Sequence, residues 1–278
     1  MYPGRYRPNH FLCATLLRTK SNHGPEIWCR CDGGPHGFLK IAAHAHADAL
    51  SIEVRYGGID ILADPGTYCY HGQLAWRSYF RSTIAHNTVE VDGQSQSSEG
   101  GPFMWLRHAN SRVTDVQDIG DAAQWGAEHD GYLVLSPAAW HRRCVRLDRA
   151  SRCLDIADEI SGGSHDIRMA YHLGPEVMVE LDGTRANLRW GRGRDCGAAR
   201  LDLPQALSWT LHRGETNPIL GWYSGGLGHR VPAVTLIGSG RSQASEPLST
   251  RLEFVEPGSA PQAWSSAPDV ALNIEHDA

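Results

Sequence analysis

Hydrophobic and polar residues alternate along most of this chain, in short runs separated by glycine and aspartate. The clearest run is LSIEVRY, in which Leu50, Ile52, Val54 and Tyr56 share one face and polar residues occupy the other. An alternation of period two is typical of a half-buried β-strand. A glycine pair follows, and IDILAD comes after it, which predicts a hairpin with a return strand.

Other segments repeat this pattern, and several contain their own turn. They are NTVEVDG, CVRLDRASRCLDIADEI, VMVELDGTRANLRW, RVPAVTLIGSG and TRLEFVEP. No segment sustains an apolar period of 3.6 residues over three turns, so helices should be a minor component. The pattern therefore predicts an all-β fold, a large antiparallel β-sandwich with few short helices.

One segment fits neither a strand nor a tight turn. Residues 64–87, DPGTYCYHGQLAWRSYFRSTIAHN, are rich in aromatic residues, arginine and histidine. We expect a long loop here, and a loop of this length inside a compact domain is usually functional.

Composition and charge exclude several classes of protein. The chain has 278 residues, of which 41% are hydrophobic and 21% charged, as in ordinary globular proteins. Its net charge of -5 argues against binding nucleic acid or an anionic membrane surface. No apolar run approaches the ~20 residues of a membrane span. The apolar run at residues 11–17 lacks a convincing cleavage site, so we identify no signal peptide and leave the compartment open.

The seven cysteines form an odd set without a C-x-x-C pair, which disfavours both a disulfide framework and a cysteine zinc site. Cys29 and Cys31 lie two apart in alternating sequence, so their thiols should point the same way from a strand. We interpret them as small, half-buried hydrophobic residues.

The candidate chemistry begins in HAHADALSIEV. His44 and His46 would face one side if they lie on a strand, and an H-x-H pair often begins a metal site. The candidate partners are Asp48, Asp64 and His86. Imidazole and carboxylate ligands suit zinc, which takes three or four of them from a protein.

A regular hairpin does not bring Asp64 to this site. With the turn at the glycine pair, paired residue numbers sum to about 115, which places Asp64 opposite about Ser51. Ser51 is roughly 16 Å along the strand from His46. A bulge, a shifted register or a bend at the following DPG would have to close that distance. His86 precedes another strand and could complete the set if that strand joins the same sheet.

Three interpretations of the cluster stay open on the residues alone. The histidines could be ordinary surface or core residues at a strand end. A hydrolytic metal centre is disfavoured, because Ala49 stands where the metallo-β-lactamase signature H-x-H-x-D-H requires histidine. The amidohydrolase H-x-H belongs to a (β/α)8 barrel, whose helices this sequence lacks. The third interpretation comes from resemblance.

Four motifs resemble, in the same order, the heparinase II/III-like family of polysaccharide lyases. They are DGGPHGFLKIAAHAHADALSIEV, ILADPGTYCY, WRSYFRSTIAHNTVEVDGQSQ and PILGWYSGGLGHRVPAVTL, between about Trp28 and Leu236. In that family this region is a C-terminal β-sandwich that follows a helical (α/α) toroid. The resemblance implies one domain over residues 1–260, with a metal-bearing part at about 28–165, the rest of the sandwich at 166–260, and a loose tail at 261–278.

The resemblance also assigns roles to single residues. It implies that His46, Asp64 and His86 bind one zinc ion per chain. His44 matches a histidine in the substrate cleft that assists proton abstraction or charge neutralisation, and Tyr68 matches a tyrosine lining that cleft.

Three further residues near the motif have candidate roles. Asp48 would support the ligands by hydrogen bonding. Arg77 and Arg81 could pair with sugar carboxylates or sulfates, because guanidinium groups bind such anions in bidentate fashion. The alternative for both arginines is ordinary ion pairing on a loop surface.

The implied function is cleavage of uronate-containing acidic polysaccharide by β-elimination. The family's toroid carries the catalytic tyrosine, and this chain opens almost directly into the sandwich. We therefore expect it to be inactive or weak without a separate toroid domain or protein. The alternative is a non-catalytic carbohydrate-binding or structural domain of exopolysaccharide metabolism. The polymer, whether a glycosaminoglycan, alginate-like or another exopolysaccharide, stays open.

Overall fold

The computed structural model describes residues 14–19, 24–37, 41–191, 196–242 and 246–255. The predicted tail at 261–278 lies outside them, as does the first part of the predicted domain. Within the described residues the fold is all-β, as predicted, with antiparallel pairing throughout the sheets.

The strands are numbered in chain order. Those of the first half are β1 (Ala14–Arg18), β2 (Ile27–Asp32), β3 (Ile52–Tyr56), β4 (Ile59–Leu62), β5 (Val89–Val91), β6 (Ser98–Gly101), β7 (Met104–Arg107), β8 (Ser111–Ile119), β9 (Ala122–His129), β10 (Trp140–Asp148) and β11 (Cys153–Ser161). Those of the second half are β12 (Asp166–His172), β13 (Met178–Asp182), β14 (Arg185–Trp190), β15 (Gly197–Asp202), β16 (Leu207–Arg213), β17 (Glu215–Thr216), β18 (Ile219–Leu220), β19 (Trp222–Gly226), β20 (His229–Pro232), β21 (Val234–Arg241) and β22 (Leu248–Val255).

Three main sheets build the sandwich. The largest has the order β13-β14-β15-β22-β11-β10-β9-β8, and two four-stranded sheets have the orders β1-β2-β3-β4 and β16-β21-β12-β5. The hairpins β6-β7, β17-β18 and β19-β20 form separate two-stranded ribbons. The predicted hairpins in CVRLDRASRCLDIADEI and VMVELDGTRANLRW are confirmed as β10-β11 and β13-β14.

One apolar core joins the three main sheets. Val54 of β3, Trp125 of β9 and Met169 of β12 are fully buried in it. Across the layers, Tyr56 stacks on Phe254 with ring centroids 5.0 Å apart. The two smaller sheets therefore cover one face of the eight-stranded sheet, where burial of apolar surface stabilises the sandwich.

The two smaller sheets also meet each other through the backbone. Leu62 forms an isolated bridge to Leu173, and the Ala63 N–H donates to the carbonyl of His172 at 2.9 Å. The end of β4 therefore lies beside the end of β12. This junction carries Asp64 away from its own hairpin.

The first predicted hairpin is confirmed, with two corrections at its outer end. Tyr56 pairs with Ile59 and Arg55 with Asp60, so paired numbers sum to 115 near the turn. The register then shifts, and Val54 pairs with Leu62. β3 begins at Ile52 instead of residue 50, so the histidines that precede it are not on a strand.

The prediction of a loop throughout residues 64–87 was wrong. The segment contains an eight-residue helix, α1 (Leu74–Arg81), followed by a 3-10 turn at Thr83–Ala85. The helix has only about two turns, too few for periodicity over three turns to find it. Its buried face includes Arg77 and Arg81, so the sequence shows no continuous apolar stripe there.

Other sequence predictions concern cysteines and membrane spans. Cys29 and Cys31 do point the same way, with sulfur atoms 3.7 Å apart, but both are fully buried and not half-buried. All cysteines in the described ranges are free thiols. Among the helices that the structure describes, none combines the length and apolarity needed to cross a bilayer.

A chain of polar side chains is buried inside the sandwich. His129 and His141 lie 3.1 Å apart, Nε2 to Nδ1, and His141 Nε2 lies 2.6 Å from Asp158 Oδ1. Arg143 also donates to both oxygens of Asp158. Burial works to raise the pKa of Asp158, but Arg143 and His141 outweigh it and hold that pKa below its usual range. Asp158 is therefore a buried, paired anion.

Histidines in the core are held in the neutral form. Burial lowers the pKa of His172 to about 3, and it also lowers the pKa of His129 and His141. His172 donates from Nε2 to the carbonyl of Ile84, which leaves Nδ1 of the neutral ring to accept from the Thr235 hydroxyl.

We expect these histidines to make the fold sensitive to acid. Below about pH 6.5 the unfolded chain takes up protons that the folded chain does not. The free energy of unfolding should therefore fall by about 1.4 kcal/mol per pH unit for each such histidine. Urea unfolding near pH 7 and near pH 5, with a chelator present, measures this. In His172→Gln the free energy of unfolding should fall by about 1.4 kcal/mol less per pH unit than in the wild type. The same slope in both proteins would contradict a neutral, buried His172.

Candidate metal centre

The histidines lie on an irregular segment, residues 43–50, which we call the histidine loop. Only Leu50, at its end, bonds to the backbone of a strand, β2, so side chains satisfy most of the carbonyl groups in the segment. Arg77 Nη2 donates to the carbonyl of Ala43 at 3.3 Å, and Arg81 Nε donates to that of Ala45 at 3.4 Å. Both arginines come from α1, whose end therefore holds the first half of the loop.

The second half of the loop is held in the same way. Gln96 Nε2 donates to the carbonyls of Ala47 and Ala49, at 2.8 and 3.2 Å. The Thr83 hydroxyl also donates to Ala47, at 2.8 Å. A buried carbonyl without a donor costs roughly 1–3 kcal/mol, so these side chains select one shape for the loop.

His46 and His86 face each other at the centre of the site. Their ring centroids are 5.1 Å apart, His86 is fully buried, and His46 is only 9% exposed. The Nε2 atoms of both rings are buried without a hydrogen-bond partner. Buried polar atoms are rarely left unpaired, so two adjacent ones suit a bound cation.

Asp64 reaches the site through the junction between the smaller sheets. Its Oδ2 lies 3.2 Å from His86 Nδ1, and its Oδ1 accepts the N–H of Gly66 at 2.7 Å. The distance that a regular hairpin leaves open is closed by the register shift in β3-β4 and by the chain leaving β4 after Leu62.

Asn87 stabilises the position of the Asp64 segment by hydrogen bonds. Its side-chain amide donates to the carbonyls of Ile52 and Ala63, at 2.8 and 2.9 Å. Its oxygen accepts the N–H of His172 at 2.6 Å. One buried side chain thus joins the starts of β3 and of the Asp64 segment to β12, directly beside His86.

The structure offers two carboxylates to the histidine pair. One potential ligand atom each from His46, Asp48 and His86 lies within 4.8 Å of the others. Asp64 instead lies against His86 Nδ1. The 3.2 Å contact fits a hydrogen bond to a ring that would bind metal through Nε2. It also fits two ligands of one tetrahedral zinc, about 3.3 Å apart, in which case His86 would ligate through Nδ1 instead. The zinc set His46, Asp64 and His86 stays a prediction, with Asp48 as a further candidate ligand.

The electrostatics suit metal binding. Burial, with the nearby His86, lowers the pKa of His46 to about 3, so this ring is neutral. Burial opposes ionisation of Asp64, but His86 outweighs it and lowers the pKa of that carboxyl. Burial works to lower the pKa of His86, but Asp64, together with Asp48, outweighs it and raises that pKa. Burial raises the pKa of Asp48 to about 7. A neutral imidazole and an ionised carboxylate are the forms that bind metals, so His46 and Asp64 are in the binding form and His86 would release its proton on binding.

His44 lies apart from this buried pair. It is exposed, and its ring meets the edge of Tyr70 at 5.1 Å between centroids. Tyr70 in turn stacks on Phe103 at 6.2 Å. The candidate catalytic histidine therefore faces the outside of the loop, beside an aromatic surface.

Three predicted substrate-binding residues lie inside the protein. Tyr68 is buried with a positive φ of 58°, and its hydroxyl accepts a hydrogen bond from Arg230. Arg77 and Arg81 are buried against the histidine loop, and Arg81 also lies 3.5 Å from Glu99. In this structure both arginines brace the loop, and substrate contact by all three stays a prediction.

Sequence reasoning missed several supporting residues. Gln96 and Asn87 lie in a motif that carried the family resemblance, but neither has a spacing that marks it. Arg230 lies over the rings of Trp76 and Tyr68, at 4.1 and 4.6 Å from their centroids. Arg143 does have a signal in the sequence. It lies on the same buried face of β10 as Val145 and Leu147, at a position where the alternation predicts an apolar residue.

The profile of the heparinase II/III-like C-terminal domain matches residues 17–253. The chain belongs to this family. A search of curated protein sequences found no match.

Solved structures with a similar fold are heparinases. A heparinase III with methylated lysines has 19% identity and a TM-score of 0.68, over 88% of this chain and 35% of its own. Heparan sulfate lyase HepC from Pedobacter heparinus has 15% identity and a TM-score of 0.70, over 90% of this chain and 36% of its own. This heparinase II/III-like chain thus spans about a third of their length, and identities this low establish the fold alone.

We expect Asn87→Ala to destabilise the domain by about 2–4 kcal/mol, because it leaves two carbonyls and one N–H without their buried partner. Asn110→Ala is the matched control, since Asn110 is exposed and its amide contacts only Asp130. Urea unfolding of the metal-free proteins measures both changes. Equal stabilities of the two variants would contradict the role given to Asn87.

Proposed function

We propose that this domain is the metal-bearing sandwich part of a polysaccharide lyase that cleaves uronate-containing acidic glycans by β-elimination. The observation that carries the proposal is the pair of unpartnered, buried Nε2 atoms on His46 and His86, with Asp64 in contact. Family membership and exposed His44, two residues before His46 in the histidine loop, support the same conclusion.

Different residues would bind the metal and contact the substrate. His46, Asp64 and His86 would hold one zinc ion, with Asp48 adjacent. Bound zinc would supply positive charge and fix the histidine loop next to the substrate cleft. His44 is free to meet substrate because it is exposed and outside the buried pair.

The reaction needs a base at C5 of the uronate. The C5–H bond beside the carboxylate breaks, the proton passes to a base, and the electron pair is delocalised onto the carboxylate as an enolate. As the C4–O bond breaks, that pair forms the C4–C5 double bond, and an acid protonates the leaving oxygen. An exposed imidazole can accept a proton as a general base, so His44 is the candidate for the first transfer. The acid would come from the helical domain.

A separate helical toroid is the proposed partner. Solved relatives are about three times as long as this chain, so most of their structure lies outside it. The domain exposes large apolar side chains just before the histidine loop, at the start of α1 and in the β6-β7 hairpin. They are Ile41, Leu74, Phe103, Met104 and Leu106. Phe103 stacks on Tyr70, which contacts His44, and exposed apolar surface beside a candidate site suits a partner.

A second candidate function is a non-catalytic carbohydrate-binding or structural domain. The structural role is favoured by the burial of Tyr68, Arg77 and Arg81, the three residues expected to contact substrate.

The first experiment measures metal content. We expect about one zinc per chain in the wild type and none in His46→Ala or His86→Ala, by mass spectrometry of purified protein. Asp64→Asn and Asp48→Asn compare the two carboxylates, and the one that ligates should lose the metal. His44→Ala is the control and should keep it. A well-folded wild type without zinc, even after zinc is supplied, would overturn the metal centre.

The second experiment measures lyase activity. The chain is mixed with the toroid domain of a relative, and ultraviolet absorbance detects the new C4–C5 double bond on acidic polysaccharides. We expect turnover with the wild type and a loss of at least about 100-fold with His44→Ala, the size of a typical general-base contribution. Binding of polysaccharide without turnover would favour the carbohydrate-binding function instead.

A further inference from the structure

Arg143 reaches from the eight-stranded sheet to the metal centre. It lies in β10, and its side chain is fully buried. A single nitrogen, Nη1, donates to the carbonyl of Leu50 at 2.7 Å and also to that of Asn87. Arg143 therefore contacts the two segments that lead into β3 and β5 of the smaller sheets, across the core from its own strand.

The two carbonyls belong to the segments that carry the candidate ligands. Leu50 ends the histidine loop, four residues after His46, and Asn87 directly follows His86. Because one nitrogen serves both carbonyls, the two segments are held at a set separation. None of the other buried side chains described above bridges these two segments through one atom.

The guanidinium of Arg143 is itself fixed by Asp158. Nε and Nη2 donate to the two oxygens of Asp158, at 2.7 and 3.0 Å, and His141 also contacts Asp158. A bidentate pair fixes the plane of the guanidinium, so Nη1 is aimed in one direction. The position of the ligand segments therefore depends on the eight-stranded sheet.

We propose that Arg143 is a positioning residue that sets the zinc affinity of the metal centre by fixing the separation of its two ligand-bearing segments. The inference rests on the proposed metal centre. Removal of a residue that orients metal ligands by hydrogen bonding typically weakens metal affinity by about 10–100-fold.

The test compares two lysine variants. Arg143→Lys keeps the charge, but a single ammonium cannot hold both Asp158 oxygens and both carbonyls. Arg149→Lys is the matched control. Arg149 also donates to two carbonyls, of Arg18 and Gly120, and to Asp118, away from the ligand segments. Zinc dissociation constants are measured by competition with a chelator, and visible spectra of the cobalt-loaded proteins report the ligand geometry.

We expect the zinc dissociation constant to rise about 10–100-fold in Arg143→Lys, with an altered cobalt spectrum, and to be unchanged in Arg149→Lys. Wild-type affinity and spectrum in Arg143→Lys would overturn the inference while leaving the metal centre intact. An equal loss in both variants would also overturn it, since that indicates general destabilisation. A wild type that binds no zinc would overturn the metal centre and, with it, this inference.

A second variant covers the case in which Arg143→Lys does not fold. Arg143→Met combined with Asp158→Asn removes both buried charges together, which avoids an unpaired ion in the core. It also removes both donations to the carbonyls. The same rise in dissociation constant is expected, and wild-type affinity in the folded double variant would overturn the inference.

Discussion

The candidate metal centre depends on how the carbonyl groups of the histidine loop are satisfied. Residues 43–50 are not part of a strand, and only Leu50 at their end bonds to the backbone of β2. Side chains supply the missing donors, two from α1 and others from the segments on either side of β5. An unsatisfied buried carbonyl is costly, so the loop can adopt only a shape that reaches every donor. That shape brings His46 to His86.

This constraint explains why the arginines of α1 are buried. A guanidinium group has five N–H donors in a rigid fork, so one arginine can serve carbonyls from two segments. Arg77 joins Ala43 to Pro102, and Arg81 joins Ala45 to Gly101. The β6-β7 hairpin is thereby attached to the histidine loop. The same residues that resemble a substrate-binding surface in the sequence serve the architecture of the site.

The site combines buried and exposed parts with different tasks. His46, His86 and Asp64 are enclosed and mutually oriented, as holding an ion requires. His44 lies outside them, next to Tyr70 and an apolar surface. The candidate ion site and the exposed histidine thus lie on one domain, which covers about a third of the solved relatives.

The sequence by itself determined the all-β class and the hairpins, and it named His46, Asp64 and His86 as candidates, which the structure brings together. Alternation of period two shows, within a single segment, which face of a strand is buried. Glycine and aspartate at the turns show where one strand ends and the next begins. The position of α1 was not readable, because its buried face is arginine-rich. Only the tertiary structure decided which donors meet the histidine loop, how Asp64 leaves its hairpin, and why Arg143 lies in the core. These contacts join residues tens of positions apart, and hydrogen bonds between distant segments leave no period in a sequence.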